Sequence, residues 1–282
     1  MLLKFYILSC LILVIPFVFG LLKHKKEILT RTITLFALLH IVCLALYGGE
    51  TIFTGFIIIL LSIAVFELAA TYNIYPWLIA AVNLPIIMLI IPHIDFPGYV
   101  ALFFLLISFS AFVLNKKIIS GRLYFFLFYF AVLIPCSISL IGIYKLRAQV
   151  IIMLLLLLQF NDSFGFIFGK KFGKRRIFPT ISPNKTLEGY FFGLLGIILG
   201  ICALHTVVPI LKGNGLYSDI LLMGYIFLFG NAGDLLFSVI KRKLEIKDFS
   251  SILPGHGGIL DRFDSIFFVS PVLFLLIKQK IV

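Results

Sequence analysis

Charged residues are scarce in this chain. Asp, Glu, Lys and Arg make up 13% of its 282 residues and hydrophobic residues 62%, whereas a soluble domain is about a quarter charged and roughly half apolar. This composition excludes an ordinary soluble domain and predicts an integral membrane protein. The four cysteines stand in apolar runs without the CxxC spacing of metal sites, so we interpret them as packed or lipid-facing thiols.

Acidic residues are scarcer still, with 12 Asp and Glu against 24 Lys and Arg, which gives a formal net charge of +12. Nucleic-acid-binding proteins show such an excess, but membrane proteins also gather Lys and Arg in their cytoplasmic loops. Because the chain is so apolar, we attribute the excess to membrane topology and predict no nucleic-acid partner.

Apolar runs long enough to cross a bilayer recur along the whole chain. A hydrocarbon layer of ~30 Å is crossed by a helix of about 20 residues. Such runs lie at 2–22, 32–48, 52–69, 75–92, 98–115, 123–144, 149–168, 187–210, 220–240 and 262–278. The sequence therefore predicts an all-α, polytopic membrane protein with about 9–10 transmembrane helices, the first a retained helix and not a cleaved signal peptide.

Loop charge predicts how these helices are oriented. The odd-numbered loops hold most of the Lys and Arg, so they should face the cytoplasm and both chain ends should face away from it. The seventh and ninth loops, at 169–186 and 241–261, then lie on one side. We divide the chain into N-terminal scaffold helices, residues 1–148, and a C-terminal domain, residues 149–282, that carries both loops.

Four acidic residues stand where helices meet that side. Asp162 and Asp234 precede the first lysine of the next loop by eight and seven residues, which places them about 12 Å and about 10 Å inside the membrane border. Asp261 and Asp264 begin the last helix and share one face. Carboxylates gathered in a poorly solvated place bind protons or a cation, and all-oxygen ligands suit Mg²⁺. The sequence predicts a Mg²⁺ site at these four residues and leaves a second cation open.

Features that bind anions accompany the acids. Asp234, Ser238 and Lys241 share one face of the ninth helix. The glycine-rich turn at 254–258 should let backbone N–H groups approach an anion just before the N-terminus of the last helix, and Arg262 can add a forked phosphate contact. This combination predicts a site for a metal-bound nucleotide.

The same segment contains a long motif of fixed spacing. It reads Ser238-x-Ile240-Lys241-Arg242, then Lys247-Asp248, then Leu253-Pro254-x-His256-Gly257-Gly258-Ile259-x-Asp261-Arg262-Phe263-Asp264. Together with SPNKTLEG at 182–189 and the pair Gly233-Asp234, it resembles the signature of phosphatidate cytidylyltransferases, also called CDP-diacylglycerol synthases. The resemblance covers residues 159–278, whereas residues 1–150 match only as generic membrane helices.

The resemblance implies transfer of CMP from CTP to the phosphate of phosphatidic acid, which gives CDP-diacylglycerol and pyrophosphate. It further implies Mg²⁺ as cofactor, a homodimer in the cell membrane, an active site on its cytoplasmic side, and a catalytic role for residues 149–282. The expected catalytic residues are Asp234, Lys241, Arg242, Asp248, His256, Asp261, Arg262 and Asp264. The expected substrate-binding residues are Ser182, Lys185, Thr186, Ser238, Lys247, Gly257 and Gly258, and the expected metal ligands Asp162, Asp234, Asp261 and Asp264.

One position departs from the family pattern, and two other functions compete. Phe237 stands where many bacterial members are expected to carry Glu. If that Glu assists the metal shell, its loss leaves a neighbouring residue to compensate, or points to a branch of the family with a different lipid preference. A CTP-dependent transferase or kinase acting on an isoprenoid or archaeal ether lipid would share the metal and nucleotide residues. A transporter also buries acids near helix breaks, but it should line a path to the opposite face with polar residues, and the even-numbered loops are nearly bare of them.

Overall fold

The structure is a computed structural model. It describes residues 26–72, 128–207 and 215–279, together with Val18. The predicted spans at 75–92 and 98–115, and the one at 2–22 apart from that single residue, lie outside the described residues.

The described residues form six α-helices, one π-helical turn and one two-stranded hairpin. In chain order these are α1 (Lys26–Tyr47), α2 (Glu50–Thr71), the π-helical turn (Tyr129–Leu133), α3 (Ile134–Phe172), β1 (Arg176–Phe178), β2 (Ser182–Thr186), α4 (Leu187–Val207), α5 (Gly215–Lys243) and α6 (Leu260–Lys278). Helices α5 and α6 follow the apolar runs at 220–240 and 262–278 and extend beyond them by a few residues, and α4 begins at the first residue of the run at 187–210.

Four helices in these described ranges are long and apolar enough to cross a membrane, namely α2, α3, α4 and α5. Helix α1 adds the shorter apolar stretch Thr32–Tyr47. The predicted all-α membrane class is therefore confirmed. The predicted number of spans includes segments outside the described residues and stays a prediction.

Helix α3 joins two of the predicted spans, 123–144 and 149–168, across a kink. Arg147 has φ −156° and ψ 91°, so the helical path breaks at this residue and resumes after it. The break falls in the polar interval 145–148 between the two predicted spans, so the structure agrees with the predicted boundary between them.

One short hairpin connects α3 to α4. Its strands β1 and β2 are antiparallel, with Arg176 opposite Thr186 and Phe178 opposite Ser182. The backbone N–H of Leu187 donates to the Arg175 carbonyl at 2.8 Å, which extends the pairing to the first residue of α4. The predicted basic loop at 169–186 is thus an ordered connection, and Lys185 lies within its second strand, β2.

Helices α3 and α4 approach each other closely at glycines. A Cβ atom on Gly196 would lie 2.6 Å from the carbonyl oxygen of Phe160, and one on Gly193 would lie 2.7 Å from Oδ1 of Asn161. Gly200 is packed as tightly, since its Cβ would lie 2.8 Å from a leucine side chain. These glycines therefore serve helix packing, because small residues let membrane helices approach until their backbones touch.

The chain divides into two compact units. Among the described residues, one unit contains 26–72 and 248–263, and the other contains 128–207, 215–247 and 264–279. Helix α6 contributes its first residues to the former unit and the remainder to the latter. The functional boundary predicted at residue 148 is a separate matter and stays a prediction.

Candidate active site

A lysine–aspartate pair joins β2 to α5. Lys185 Nζ lies 2.5 Å from Asp234 Oδ2, and the two side chains are 22% and 34% exposed. Ser238, one helical turn further on, donates its hydroxyl to Asp234 Oδ1 at 3.3 Å. Burial disfavours the charged ammonium, but the negative charges of Asp234 and Asp162 outweigh it and raise the pKa of Lys185 above its ordinary value. Lys185 is therefore cationic at every physiological pH.

Two further aspartates interact with this pair. Asp264, buried in the first turns of α6, interacts electrostatically with Asp234, Lys241 and Asp162. Its Oδ1 accepts hydrogen bonds from the backbone N–H and the hydroxyl of the next residue, at 2.6 and 3.3 Å. The structure thus brings together acids from three helices and two lysines. We name this set the acidic–basic cluster: Asp162, Lys185, Asp234, Lys241 and Asp264.

A pair of amide side chains, which the sequence analysis missed, positions Asp162. Asn161 is 4% exposed, and its Nδ2 donates to Asp162 Oδ1 at 3.0 Å. The amides of Asn161 and Asn231 face each other across α3 and α5 at 3.4 and 3.5 Å, and Asn231 Nδ2 donates to the carbonyl of Phe227 at 2.8 Å. Asparagines inside apolar spans are the signal that could have identified them, because polar groups in membrane helices pair with one another.

The acidic–basic cluster offers the oxygen donors that Mg²⁺ prefers, but its described side chains do not form a complete set of protein ligands for the ion. Within the part of the chain that the structure describes, no three His, Cys, Asp or Glu side chains lie close enough together to hold a metal ion. Mg²⁺ commonly takes only one or two carboxylates and completes its shell with waters and substrate phosphates, and the acids of the cluster fit a site of that kind. Asp261 belongs to the other compact unit. The four-carboxylate ligand set stays a prediction.

Side chains at the start of α4 fix the hairpin. Glu188 Oε2 accepts hydrogen bonds from the backbone N–H groups of Lys174 and Arg175, at 2.9 and 3.2 Å. Thr186 Oγ1 accepts from the backbone N–H of Gly189 at 3.1 Å, which caps the helix. Thr186, predicted to bind substrate, therefore has an evident structural use. Both contacts restrain the strand that carries Lys185.

Arg242 attaches the end of α5 to the hairpin. Its Nε donates to the carbonyl of Ile181 at 3.1 Å, and its Nη1 donates to the carbonyl of Ile246 at 3.3 Å. The contact confirms that the predicted seventh and ninth loops lie on the same side of the helices. It also brings Ser182, the residue that follows Ile181, near the end of α5. Arg242 is exposed, and its role towards a substrate phosphate stays a prediction.

The turn between α5 and α6, in the other compact unit, is closed by an aspartate. Asp261 Oδ2 accepts hydrogen bonds from the backbone N–H groups of Phe249 and Gly258, both at 2.9 Å. Arg262 Nε donates to the carbonyl of His256 at 3.0 Å. We name residues 249–259 the signature turn. Two predicted catalytic residues, Asp261 and Arg262, thus hold its backbone in shape.

Glycines allow the signature turn to fold so tightly. Gly255 and Gly257 have φ of 77° and 82°, a region that side chains disfavour. A Cβ on Gly257 would lie 2.9 Å from Asp261 Oδ2, and Leu253 donates its N–H to the Gly257 carbonyl at 2.8 Å. His256 is buried within this turn, whereas Lys247 and Asp248, which precede it, are exposed.

Glu67 of α2 is a second residue that the sequence analysis missed. It is 1% exposed. Its Oε1 accepts hydrogen bonds from Ser250 Oγ at 2.5 Å and from the backbone N–H of Ile259 at 2.9 Å, and its Oε2 accepts from the backbone N–H of Leu260 at 2.9 Å. The sequence analysis expects a substrate anion at the N-terminus of α6, but a carboxylate of the chain occupies these two amides. A lone acid in an apolar span was the available signal.

Phe237 packs as an aromatic core residue. It is fully buried, and its ring meets that of Phe128 edge-on at a centroid distance of 5.4 Å and an angle of 83°. This position therefore contributes apolar packing and not the carboxylate that the resemblance leads us to expect there.

Comparison with known proteins gives one consistent result. A model of the cytidylyltransferase family matches residues 29–279. A protein of Staphylococcus epidermidis named phosphatidate cytidylyltransferase is 35% identical over 267 residues, which cover 88% of this chain and 98% of that protein. Proteins of the same name from Staphylococcus haemolyticus and Staphylococcus aureus are 34% and 35% identical over 274 residues, covering 88% and 89% of this chain and 98% and 99% of theirs.

Proposed function

The chain belongs to the cytidylyltransferase family, and we propose that it transfers CMP from CTP to phosphatidic acid, forming CDP-diacylglycerol and releasing pyrophosphate. The observation that carries this function is the acidic–basic cluster, in which acids of three helices surround two lysines. Such a group combines ligands for a cation with charges that bind phosphate. The names of the relatives do not favour the isoprenoid or ether-lipid alternative.

The reaction needs positioning and charge neutralisation more than base catalysis. An oxygen of the lipid phosphate, already anionic, attacks the α-phosphorus of CTP, and the bond from that phosphorus to the oxygen bridging to the β-phosphate breaks as pyrophosphate leaves. Lys185 and Lys241 hold the phosphates and stabilise the charge that accumulates on the leaving oxygen. Lys185 is suited to this because its position is fixed by the hairpin and its charge by Asp234.

Mg²⁺ is the proposed cofactor. Asp234 and Asp264 would hold it, with Asp162 as a further ligand and Asp261 retained from the family resemblance alone. When bound, the ion neutralises phosphate charge and orients the attacking and leaving oxygens. Ser238 and Asn161 position two of these carboxylates through their hydrogen bonds.

The location of the enzyme follows from its topology. The chain is a membrane protein, and we place it in the cell membrane with the hairpin and the end of α5 facing the cytoplasm, because the basic loops gather there. CTP would arrive from that side, while the lipid enters from the bilayer. A homodimer is the assembly that the family resemblance implies, and light scattering of the purified protein tests it.

The test is an assay of the purified protein with radiolabelled CTP and Mg²⁺. Phosphatidic acid is compared with an archaeal-type ether lipid phosphate and with no lipid. We expect labelled CDP-diacylglycerol and stoichiometric pyrophosphate with phosphatidic acid only. If product forms with the ether lipid phosphate alone, that lipid and not phosphatidic acid is the substrate. If no product forms with either lipid, the proposed enzyme function is wrong.

A further inference from the structure

We infer that Glu67 is a positioning residue, which holds the signature turn in its substrate-binding conformation from the N-terminal half of the chain. The kinetic part of this inference rests on the proposed function. It assigns a task to α2, a helix that lies outside the signature motif in the sequence.

The carboxylate of Glu67 restrains the signature turn at both ends. Ser250, near its beginning, donates to Oε1, and Ile259, its last residue, donates to the same oxygen. Leu260, the first residue of α6, donates to Oε2. Ser250 lies nine and ten residues before the adjacent donors Ile259 and Leu260, so one side chain fixes the spacing of the two ends of the turn.

The close contact between Glu67 and the signature turn explains why residue 258 is a glycine. A Cβ atom on Gly258 would lie 2.6 Å from Glu67 Oε2 and 2.7 Å from Oε1. The amide of Gly258 itself donates to Asp261 at 2.9 Å. The absence of a side chain at this position therefore lets Glu67 and Asp261 reach successive amides of the same backbone.

A second restraint comes from α1. Thr34 is 9% exposed, and its hydroxyl lies 3.0 Å from the carbonyl of Pro254 in the middle of the signature turn. Helices α1 and α2 thus contact the beginning, middle and end of the turn. Glu67 provides the stronger restraint, because its two side-chain oxygens accept three hydrogen bonds whereas Thr34 contributes one contact.

The test compares Glu67→Gln with Glu50→Gln, an exposed position on the first turn of the same helix. Glutamine has the same size as glutamate, but its side-chain N–H₂ group would face at least one of the three donors that contact Glu67. A mobile turn binds nucleotide only in the competent fraction of molecules, so the apparent KM for CTP should rise about tenfold or more while kcat at saturating CTP is retained. Unfolding of part of the protein would instead lower kcat and leave KM unchanged, and that result would overturn the inference.

An activity-independent measurement separates this inference from the proposed function. Hydrogen–deuterium exchange of peptides covering 250–262 should accelerate in Glu67→Gln and remain unchanged in Glu50→Gln. Equal exchange in all three proteins would refute the positioning role even if the enzyme is active. Faster exchange in Glu67→Gln, together with wild-type protein that makes no CDP-diacylglycerol, would retain the positioning role and reject the proposed function.

A double substitution tests the specific contact. Gly258→Ala should also raise the KM for CTP, because the new methyl group displaces the carboxylate of Glu67. Its effect should be smaller in a Glu67→Ala background, where that clash is absent. Effects that multiply independently would contradict direct contact between the two residues.

Discussion

Removal of the Lys185 ammonium is the sharpest test of the acidic–basic cluster. In Lys185→Met the apolar stem of the side chain is largely kept while the charge 2.5 Å from Asp234 is lost. Removing one fixed donor that stabilises transition-state charge costs about 10²–10³ in kcat. We therefore expect kcat for CDP-diacylglycerol formation to fall about 100-fold, measured with radiolabelled CTP at saturating phosphatidic acid.

Two control variants make this result specific. Lys174→Met removes an exposed charge from the same basic connection, and it should leave kcat within about twofold of wild type, because loop charges of this kind serve topology. Lys185→Arg keeps the cation but changes its shape, so it should recover part of the lost activity.

Stability should change little. The ion pair is partly exposed, at 22% and 34%, so solvent screening limits its contribution to about 1 kcal/mol or less. For a chain of this size that corresponds to a decrease in melting temperature of about 2–4 °C or less. A Lys185→Met protein that loses many degrees of melting temperature but keeps its kcat would show that the pair is structural, and it would refute the assigned role.

The raised pKa of Lys185 predicts how kcat should depend on pH in the alkaline range. Its pKa is raised above the ordinary value of about 10.4. The stabilisation from the ion pair is therefore fully present below that value and is lost only as pH rises through the higher folded-state pKa. Consequently kcat should show no decline assignable to Lys185 between pH 7 and about pH 10, and Lys185→Met should lower the profile without shifting it.

Three further substitutions follow from single contacts. Asp261→Asn should abolish turnover in the CTP assay while membrane insertion, measured by extraction and protease protection, stays intact, because an amide is a weaker ligand for a cation and a weaker acceptor for the two backbone N–H groups than a carboxylate; retained activity would remove Asp261 from the proposed metal ligands. Phe237→Ala should destabilise the fold by about 3–5 kcal/mol in thermal unfolding, since it empties a buried site against Phe128, whereas an unchanged melting temperature would contradict that packing. Gly196→Val should destabilise by about 1–3 kcal/mol or more, because its Cβ would meet the Phe160 carbonyl at 2.6 Å; a wild-type melting curve would count against the close approach.

Features with a local or compositional cause were accessible from the sequence. The apolar runs predict α4 and α5 because hydrocarbon thickness sets helix length. Loop charge predicts that two connections share a side, which the bond from Arg242 to Ile181 confirms. Asp162 and Asp234 were predicted from their depth relative to the same border and Asp264 from its position at the start of the last helix, and the structure brings the three together. In each case one physical rule acts on a short stretch of chain.

Features that depend on distant partners were not accessible. Glu67 accepts hydrogen bonds from residues more than 180 positions away, and no periodicity reports such a pairing. The hairpin has strands of three and five residues, too short and too polar to show alternation. Asn161 and Asn231 are separated by 70 residues, so only their location inside apolar spans marked them. Tertiary contact determines each of these features.

The signature turn also changes where phosphate binding should be sought. Its glycines suggest a backbone cradle for an anion. In the structure, however, the amides of Gly258, Ile259 and Leu260 all donate to carboxylates, the first to Asp261 and the next two to Glu67.

A phosphate could accept hydrogen bonds from those amides only by displacing the carboxylates of Asp261 and Glu67, which already accept them. Side-chain cations are therefore the better phosphate ligands in this chain, and the glycines serve chiefly to let the chain's own acids approach the backbone. It follows that substitution of Lys185 should weaken CTP turnover more than substitution of Gly258→Ala, and the reverse order in the CTP assay would restore the backbone cradle.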